Sequence, residues 1–527
     1  MEIMEEKQLH WADYYAEKII REKGDKEVYV CASGITPSGT VHIGNFREII
    51  SVELVVRALR QKSKNVRFIY SWDDYDVFRR VPSNIKNRQI METYLRKPIT
   101  SVPDPEGREE SYARVYEKEL EELLPLLGIE PEYIYQANMY KSSTYAGGIK
   151  KALEKRETIR KILNEHRTSP LPHDWWPLSV FCTSCQRDTT KMLNWDGEWE
   201  ITYSCNSCGN RQNLDIRKTS SVKLPWRVDW PMRWDFEDVD FEPAGKDHHS
   251  EGGSFDTAKK IVTAVYEHSP PVTFQYDFLS IKGRGGKISS STGDVVSLKD
   301  VLAIYQPQVI RYLFAGTRPN TEFAISFDLD VLKIYEDYDR CERIYFGLEK
   351  IGEKREAKEK RIYELSQIGE PPGRIPYQVP FRHLCNLVQI HVGDVEAVVE
   401  GFKGIVDDEK DYIRARARCA WNWINLYAPD EFKFLLKGED DKPIETDDTG
   451  RKVLSLFKNE VIEKLDSCDD QSLSKVLFDT ARKSGLKTGD FFKYIYQALI
   501  GKDRGPRLAN FLLAAGKEKI EKALKHY

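Results

Sequence analysis

The chain has 527 residues and a mass of 61.2 kDa, which is enough for about three or four domains with a large buried core. Its 80 Lys and Arg nearly balance 84 Asp and Glu, and a net charge of −4 excludes a protein dominated by a basic arm or an acidic tail. No apolar run is long enough to span a membrane, and the acidic first residues lack the apolar core of a signal peptide. We therefore predict a cytoplasmic protein without a membrane partner.

The first predicted elements are a strand, a turn and a helix. Residues 28–33 are β-branched, aromatic or small and predict a buried strand, and residues 66–70 predict a second one. Between them, apolar residues recur at helical spacing from Ile43 onward. Strand, turn, helix and strand form a βαβ unit, so we expect a parallel sheet with a right-handed crossover.

The turn between the first strand and the first helix is a candidate phosphate site. In an open α/β sheet, unpaired N–H groups and the positive end of the helix face the ligand at this point. Gly39 and Gly44 permit a close approach of the backbone, and His42 stands at the predicted helix start, where it could donate to a phosphate. Taken alone, the turn fits a capped helix with a surface histidine equally well.

Four of the nine cysteines have the spacing of a metal site. Cys182 and Cys185 form one Cys-x₂-Cys pair, and Cys205 and Cys208 form a second pair after 19 intervening residues. Two such knuckles complete a tetrahedron of thiolates, as in a zinc ribbon. The alternative is four independent buried thiols. We predict a structural Zn²⁺, because a closed Cys₄ set leaves no open position for catalysis.

Because the net charge is close to zero, any binding of nucleic acid must depend on local clusters of basic residues. Beyond about residue 331 the apolar spacing is helical, and residues 481–527 hold 11 Lys and Arg against 4 Asp and Glu, including Lys502, Arg504 and Arg507. A second basic and aromatic mixture comprises Arg414, Arg416, Arg418, Trp421 and Trp423. Both segments suit contacts with phosphates and unstacked bases, although solvated helix faces explain either one equally well.

Two short motifs resemble the signatures of the class I aminoacyl-tRNA synthetases. The family's His-Ile-Gly-His, preceded by Pro-Ser-Gly, matches residues 37–45, with Asn45 in place of the last histidine. Its Lys-Met-Ser-Lys-Ser matches residues 287–291, with Ser290 in place of the second lysine, 245 residues after His42. Residues 245–249 are similar to the family's Gly-x-Asp segment, which contacts the adenosine ribose.

The resemblance implies that an amino-acid carboxylate attacks the α-phosphorus of ATP, bound with Mg²⁺. Donors placed where negative charge develops would stabilise that transition state. On the matched positions, the expected catalytic residues are His42, Asn45 and Lys287. The expected ATP-binding residues are Thr36, Pro37, Ser38, Gly39, Gly44, Gly245, Asp247, His248, Ser289, Ser290 and Ser291.

The charged residues near the turn indicate which amino acid is the substrate. Glutamyl enzymes of this class have an arginine ten residues before the first-signature histidine, and this chain has Ala32 there, which argues against a carboxylate side chain. Asp73 and Asp74 follow the second strand, beside the turn, and would suit an ammonium group. The whole pattern resembles the class I lysyl-tRNA synthetases of the archaeal type. That resemblance implies lysine and tRNA(Lys) as partners, and a pocket lined by Gly34, Thr36, Trp230, His249 and Tyr276.

Two other functions stay open at this point. One is glutamyl- or glutaminyl-tRNA synthesis by the same class of enzyme, and the other is tRNA binding by a protein whose nucleotide site has decayed. The intact Pro37, Gly39, His42, Gly44 and Lys287 argue against decay. We expect a monomer.

The predicted architecture is an α/β chain with a Rossmann-like, parallel-sheet catalytic domain, a zinc-ribbon-containing insertion and an all-α anticodon-binding domain. Residues 1–75 and 221–280 are assigned to the Rossmann domain, 76–220 to the connective insertion, 281–350 to a connecting region with the second signature, and 351–527 to the anticodon-binding domain.

Overall fold

The computed structural model describes residues 10–82, 85, 87–282 and 296–527. The chain divides into two compact units. The first comprises residues 1–301, 310–325 and 350–371, and the second comprises residues 302–309, 326–349 and 372–527. The finer predicted division, with boundaries at 76, 221, 281 and 351, stays a prediction.

The first unit is built on a parallel sheet. Strand β1 (Tyr29–Ile35) pairs with β2 (Val66–Trp72) in parallel, and β2 pairs with β3 (Glu132–Tyr135) in the same sense. Parallel bridges from Phe241 to Cys31 and to Val272 extend the sheet beyond β1. The predicted βαβ unit and the α/β fold class are thus confirmed, with α2 (Ile43–Gln61) as the crossover helix between β1 and β2.

The remaining elements of this unit are helices and short strands, several of them in the segment predicted to be an insertion. Its other helices are α1 (Trp11–Lys23), α3 (Arg88–Glu92), α4 (Tyr112–Leu123), α5 (Gln136–Lys141), α6 (Ala146–Glu154), α7 (Arg156–Asn164), α8 (Trp226–Phe236), α9 (Lys246–His249), α10 (Ser254–Val265) and, further along the chain, α14 (Glu353–Ser366). The antiparallel strands are β4 (Ser179–Val180) with β8 (Val222–Lys223), and β5 (Thr190–Trp195), β6 (Glu200–Cys205) and β7 (Arg211–Asp215) in one three-stranded sheet. Two short parallel pairs join β9 (Ala244–Gly245) to β10 (Gln275–Tyr276) and β11 (Leu279–Ile281) to β12 (Phe323–Ile325).

The regular secondary structure of the second unit is helical, with no strand among its described residues, in agreement with the predicted all-α domain. Helices α11 (Leu298–Ile304) and α12 (Pro307–Gly316) each contain a point where the chain passes between the units. The rest of the helical unit contains α13 (Asp330–Tyr345), α15 (Phe381–Ile390), α16 (Val395–Glu400), α17 (Asp407–Leu426), α18 (Asp448–Glu460), α19 (Asp470–Lys483), α20 (Thr488–Ile500), α21 (Leu508–Ala515) and α22 (Lys517–Ala523). Apolar side chains of α18 to α22 form one continuous core.

Two residues of the predicted basic and aromatic mixture belong to the core of the helical unit. Arg416 is fully buried in α17, where its guanidinium donates to Asp339 at 2.7 Å and lies over the ring of Tyr335. Trp423 is also fully buried and donates its indole N–H to the carbonyl of Phe327. The prediction that they face RNA is therefore wrong, because the helical period turns them away from solvent.

Candidate active site

The turn after β1 ends at His42, which caps helix α2. Its Nδ1 accepts a hydrogen bond from the backbone N–H of Asn45 at 3.2 Å. Because Nδ1 is the acceptor, the ring proton lies on Nε2, and the imidazole is a donor there. A Cβ at Gly44 would lie only 2.9 Å from that Nδ1, so glycine leaves room for the ring. A ring donor at the positive end of a helix favours a bound anion.

An open cleft of about 940 Å³ lies beside this cap. Five segments of the chain line it, namely the end of β1, the start of α2, Tyr70 of β2, the β9–α9 segment and residues 276–279. The cleft brings together eight of the predicted site residues: Gly34, His42, Gly44, Asn45, Gly245, Asp247, His248 and Tyr276. The His248 ring is held in place by Ser254, whose Oγ lies 2.5 Å from Nδ1.

Residues that follow the second signature lie directly against the first. The N–H of Ile43 donates to the carbonyl of Val296 at 3.0 Å, and His42 forms an antiparallel bridge with Ser297. Lys287, Ser289, Ser290 and Ser291 themselves lie outside the described residues. Val296 and Ser297, which follow that segment in the chain, therefore lie beside the His42 cap.

Residues 36–39, at the front of the turn, do not line the cleft. Hydrogen bonds to Thr36 and Ser38 hold this part of the turn in place. Thr36 donates its hydroxyl to Asp76 at 2.9 Å, and Asp76 also pairs with the buried ammonium group of Lys223. Burial, the largest single cause, opposes ionisation of Asp76. The charge and hydrogen bond of Lys223, the Thr36 hydroxyl and the charge of Arg233 together outweigh it and lower the pKa of that carboxyl. The carbonyl of Ser38 accepts from Tyr112 at 2.9 Å. Pro37 is buried and Gly39 is half-buried in the same turn.

Glu48 places a carboxylate in the wall of the cleft, one turn after Gly44. One of its oxygens accepts from the Ser33 hydroxyl at 2.8 Å and from the Gly34 N–H at 3.3 Å, and the other accepts from the hydroxyl of Tyr276. All three donors are neutral, and no ion pair of the described residues includes Glu48. Burial, the largest cause, raises the pKa of this carboxyl above its usual value. The group would be stabilised by a cation in the cleft.

A deeper cavity of about 400 Å³ adjoins the cleft at Ser33 and Gly34. Its floor includes Ala32, so the residue that replaces the arginine of glutamyl enzymes faces this space. A Cβ at Gly34 would lie 2.6 Å from the Ser71 carbonyl of β2, which keeps that position a glycine. The aromatic wall consists of Trp226, Trp230 and Trp234.

The predicted carboxylates Asp73 and Asp74 point in different directions. Asp73 lines the deeper cavity, but its carboxylate pairs with the buried guanidinium of Arg233 at 2.7 Å. Asp74 accepts from the N–H of Ala137 at 2.7 Å and lines a separate polar cavity. Burial raises the pKa of Asp74 to about 7. The structure therefore leaves Glu48 as a carboxylate in the cleft wall with no cationic partner among the described residues.

His249 is not part of either wall. Its ring packs against Phe255 with 4.5 Å between centroids, and the Thr273 hydroxyl lies 3.5 Å from its Nε2. Burial lowers the pKa of this imidazole, which favours the neutral form.

The four predicted metal-ligating thiols lie together at one end of the β5–β7 sheet. All four Sγ atoms are within 4.8 Å of one another, and Cys182–Cys208 and Cys185–Cys205 are each 3.6 Å apart. A tetrahedral ion with Zn–S bonds of about 2.3 Å needs sulfurs roughly 3.8 Å apart, so the set fits that geometry. Burial alone would raise the pKa of the Cys182 thiol, but the N–H groups of Cys185 and Ser184 lower it to about 6.

Both knuckles have the same backbone geometry. Gln186 donates its N–H to the carbonyl of Cys182, and Gly209 donates to that of Cys205 in the same way. Each donor has a positive φ, 61° for Gln186 and 72° for Gly209. This repeated turn explains why each Cys-x₂-Cys pair directs its two sulfurs to one side.

Comparison with known proteins identifies the family. Residues 9–369 match the family described as tRNA synthetases class I (K), and residues 428–527 match one described as an anticodon binding domain. The chain belongs to this class I synthetase family. The resemblance inferred from the two signatures is confirmed.

Relatives of this synthetase cover its whole length. The lysine-tRNA ligase of Borrelia garinii subsp. bavariensis is 54% identical over 521 residues, which are 99% of this chain and 100% of the relative. That of Treponema pallidum is 52% identical over 526 residues, 99% of each chain. That of Thermococcus kodakarensis is 44% identical over 529 residues, 98% of this chain and 99% of the relative.

The anticodon domain of the synthetase carries exposed basic residues near its end. Arg504 and Arg507 are both exposed, and Arg507 lies 3.3 Å from Asp470. In the other predicted patch, Arg414 pairs with Glu396 at 2.8 Å while Arg418 is exposed.

Within the part of the chain that the structure describes, no helix is both long and apolar enough to cross a membrane.

Sequence reasoning missed Glu48, a carboxylate in the wall of the cleft. In the first helix it stands among Arg47, Glu53 and Arg57, and charged residues at such positions usually face solvent. The available signal was its place one and a half turns after His42, close to the helix end that faces the ligand.

Proposed function

We propose that this synthetase joins L-lysine to tRNA(Lys) in two steps. The lysine carboxylate first attacks the α-phosphorus of ATP, giving lysyl-adenylate and pyrophosphate, and the 2′-hydroxyl of the terminal adenosine then takes the lysyl group. The choice of lysine rests on Glu48. Its carboxylate lies in the cleft wall, and all the groups that donate hydrogen bonds to it are neutral. The ammonium group of a lysine side chain would complete its set of partners.

The start of α2 supplies donors for the first step. Negative charge grows on the α-phosphate and on the leaving pyrophosphate, and fixed donors stabilise that charge more than the ground state. His42 Nε2–H and the amide of Asn45 lie in the cleft wall at the positive helix end. We assign them to the phosphates of ATP, which enters as its magnesium complex. Asp247 in the same cleft is assigned to the ribose.

A substrate with a carboxylate side chain fits this site poorly. Glutamate would bring a second negative charge toward Glu48, and the position of the arginine that would bind it is Ala32. Two like charges in a partly buried site repel each other, and one of them would have to be protonated. The glutamyl alternative is therefore not favoured, and the 54% and 52% identical relatives bear the name lysine-tRNA ligase.

A charging assay across all twenty amino acids with total tRNA tests this proposal. We expect lysine to give stable aminoacyl-tRNA and ATP–pyrophosphate exchange, assayed with and without tRNA, and the other nineteen to give at most a small fraction of that rate. Charging with glutamate in place of lysine would overturn the assignment of Glu48. A protein that binds tRNA without charging any amino acid would support the decayed-site alternative.

We propose that the four thiols hold a structural Zn²⁺ in the native protein. Cys182, Cys185, Cys205 and Cys208 would supply a closed tetrahedral set, which contributes to folding of the β5–β7 sheet and leaves no position for a substrate.

Elemental analysis is expected to find about one zinc per chain, as a closed Cys₄ site requires. In Cys205→Ser the zinc content should fall severalfold and the melting temperature should fall with it, because a tetrahedral ligand and its turn are lost. Cys468→Ser, at a half-buried thiol outside the cluster, is the matched control and should keep the metal. Full zinc in Cys205→Ser, or none in the unmodified protein, would refute the site.

A further inference from the structure

Arg47 is a buried cation between the first-signature helix and the far wall of the cleft. It lies in α2, two residues after Asn45 and one before Glu48, and is 2% exposed. Its guanidinium donates to five backbone carbonyls, at distances of 2.6 to 3.2 Å. The acceptors are the carbonyls of Asp277, Phe278, Arg318, Pro319 and Thr321.

The five acceptors belong to two chain segments that are joined to each other. Asp277 and Phe278 line the cleft and lead directly into β11, whereas residues 318–321 lead into β12. The two strands pair in parallel, and the N–H of Asp277 donates to the carbonyl of Pro319 at 2.9 Å. One side chain of α2 therefore holds both segments at the base of that strand pair.

The bonding of Arg47 differs from that of an ordinary buried ion pair. Each hydrogen-bond acceptor is a neutral carbonyl, and the ring of Phe323 lies 5.0 Å from the guanidinium carbon. Burial, the largest cause, lowers the pKa of Arg47 to about 10, so the side chain remains a cation at neutral pH. A planar fork with five N–H donors can satisfy carbonyls in two segments at once, whereas the ammonium of lysine has only three donors on a single nitrogen.

We propose that Arg47 is a positioning residue for adenylate formation, which fixes the Asp277–Phe278 wall of the cleft relative to His42 and Asn45. This inference rests on the proposed function. His42 and Asn45 line the cleft from the start of α2, and Asp277 and Phe278 line it from the segment before β11. The spacing between the donors and that wall therefore depends on how firmly α2 is tied to it. Misplacement by about 1 Å costs on the order of a hundredfold in rate.

Arg311 provides a matched control for a purely structural role. It is fully buried in the same unit and also reaches α2, where it pairs with Glu53 at 2.7 Å. Its other acceptors are the carbonyls of Leu127 and Leu365, which do not line the cleft. Loss of Arg311 should therefore reduce stability without a selective effect on the chemical step.

The test compares Arg47→Lys with Arg311→Lys in the full-length, zinc-loaded protein. Lysine-dependent ATP–pyrophosphate exchange is measured per active site, together with melting temperature and zinc content. We expect kcat of Arg47→Lys to fall ~10- to 100-fold, with KM for lysine and ATP changed far less than kcat. Arg311→Lys should keep kcat within about threefold at a similar or larger loss of stability.

Two results would overturn the inference. One is a kcat for Arg47→Lys close to that of the unmodified protein, and the other is a loss that merely matches Arg311→Lys at equal stability. If Arg47→Lys fails to fold, Arg47→Met and Arg47→Gln are compared by the same kcat and KM measurements. Failure of the unmodified protein to use lysine would instead contradict the proposed function, so the two failures are distinguishable.

Discussion

Glu48→Gln is expected to lower kcat/KM for lysine by ~10² or more while leaving KM for ATP nearly unchanged. The amide of the new glutamine still has an oxygen that can accept from the Ser33 hydroxyl and the Gly34 N–H. The contact between α2 and the end of β1 is therefore kept. What is lost is the negative charge that faces the substrate. Leaving a buried ammonium group unpaired costs roughly 3 kcal/mol or more, which is about a factor of 10² in binding. Steady-state pyrophosphate exchange with varied lysine measures the effect.

Glu53→Gln is the control, because Glu53 lies in the same helix but pairs with Arg57 and Arg311 instead of facing the cleft. It should reduce stability and leave KM for lysine unaltered. A neutral isostere of lysine adds a second comparison. The preference for lysine over that analogue should be large in the unmodified protein and small in Glu48→Gln. An unchanged preference would contradict the assignment of Glu48 to the ammonium group.

The same carboxyl makes lysine use dependent on pH. Burial raises the pKa of Glu48, so the group takes up a proton at a higher pH than an exposed glutamate does. The protonated form attracts an ammonium group only weakly. As the pH falls through this raised pKa, kcat/KM for lysine should fall by up to tenfold per pH unit, and above it the value should level off. In Glu48→Gln this acidic limb should disappear, which a pH profile of both proteins will reveal.

The His42 cap and the clustering of the four thiols could be predicted from sequence because both depend on neighbours along the chain. The cap at His42 is a contact with Asn45, three residues away, and each Cys-x₂-Cys turn closes over four residues. Local spacing fixes such geometry, since turn residues and helix starts have characteristic sequences. The parallel sheet follows from the same local order of strand, turn and helix.

The choice among charged residues could not be predicted in this way. Asp73 is next to the turn, but it is neutralised by Arg233, 160 residues later in the chain. Glu48 resembles a surface residue, yet it is bonded to Tyr276, 228 residues away. Arg416 lies in a basic run but is buried against Asp339. Only the tertiary contacts decide which charges are already paired and which one lines the cleft beside neutral donors.

His42→Ala is expected to reduce kcat of lysyl-adenylate formation by roughly 10²–10³, the usual cost of removing one donor to developing negative charge. The structure adds a second effect of this change. Because the ring caps α2, alanine also removes the acceptor for the Asn45 N–H, which costs about 1 kcal/mol of stability. Pre-steady-state adenylate formation and a thermal melt on the same sample measure the two effects separately.

His42→Asn distinguishes donation to phosphate from capping. Asparagine is among the best N-caps, so this variant should melt close to the unmodified protein, but its short side chain cannot place a donor where Nε2–H lies. We expect its kcat to be nearly as low as that of His42→Ala, with lysine affinity kept, because Glu48 and Tyr276 are untouched. His268→Asn, which changes a histidine paired with Asp238 in the same unit, should leave kcat unaltered. If His42→Asn restored the rate along with the stability, His42 would act only as a cap, and the donors to the phosphates would have to be the remaining groups at the start of α2.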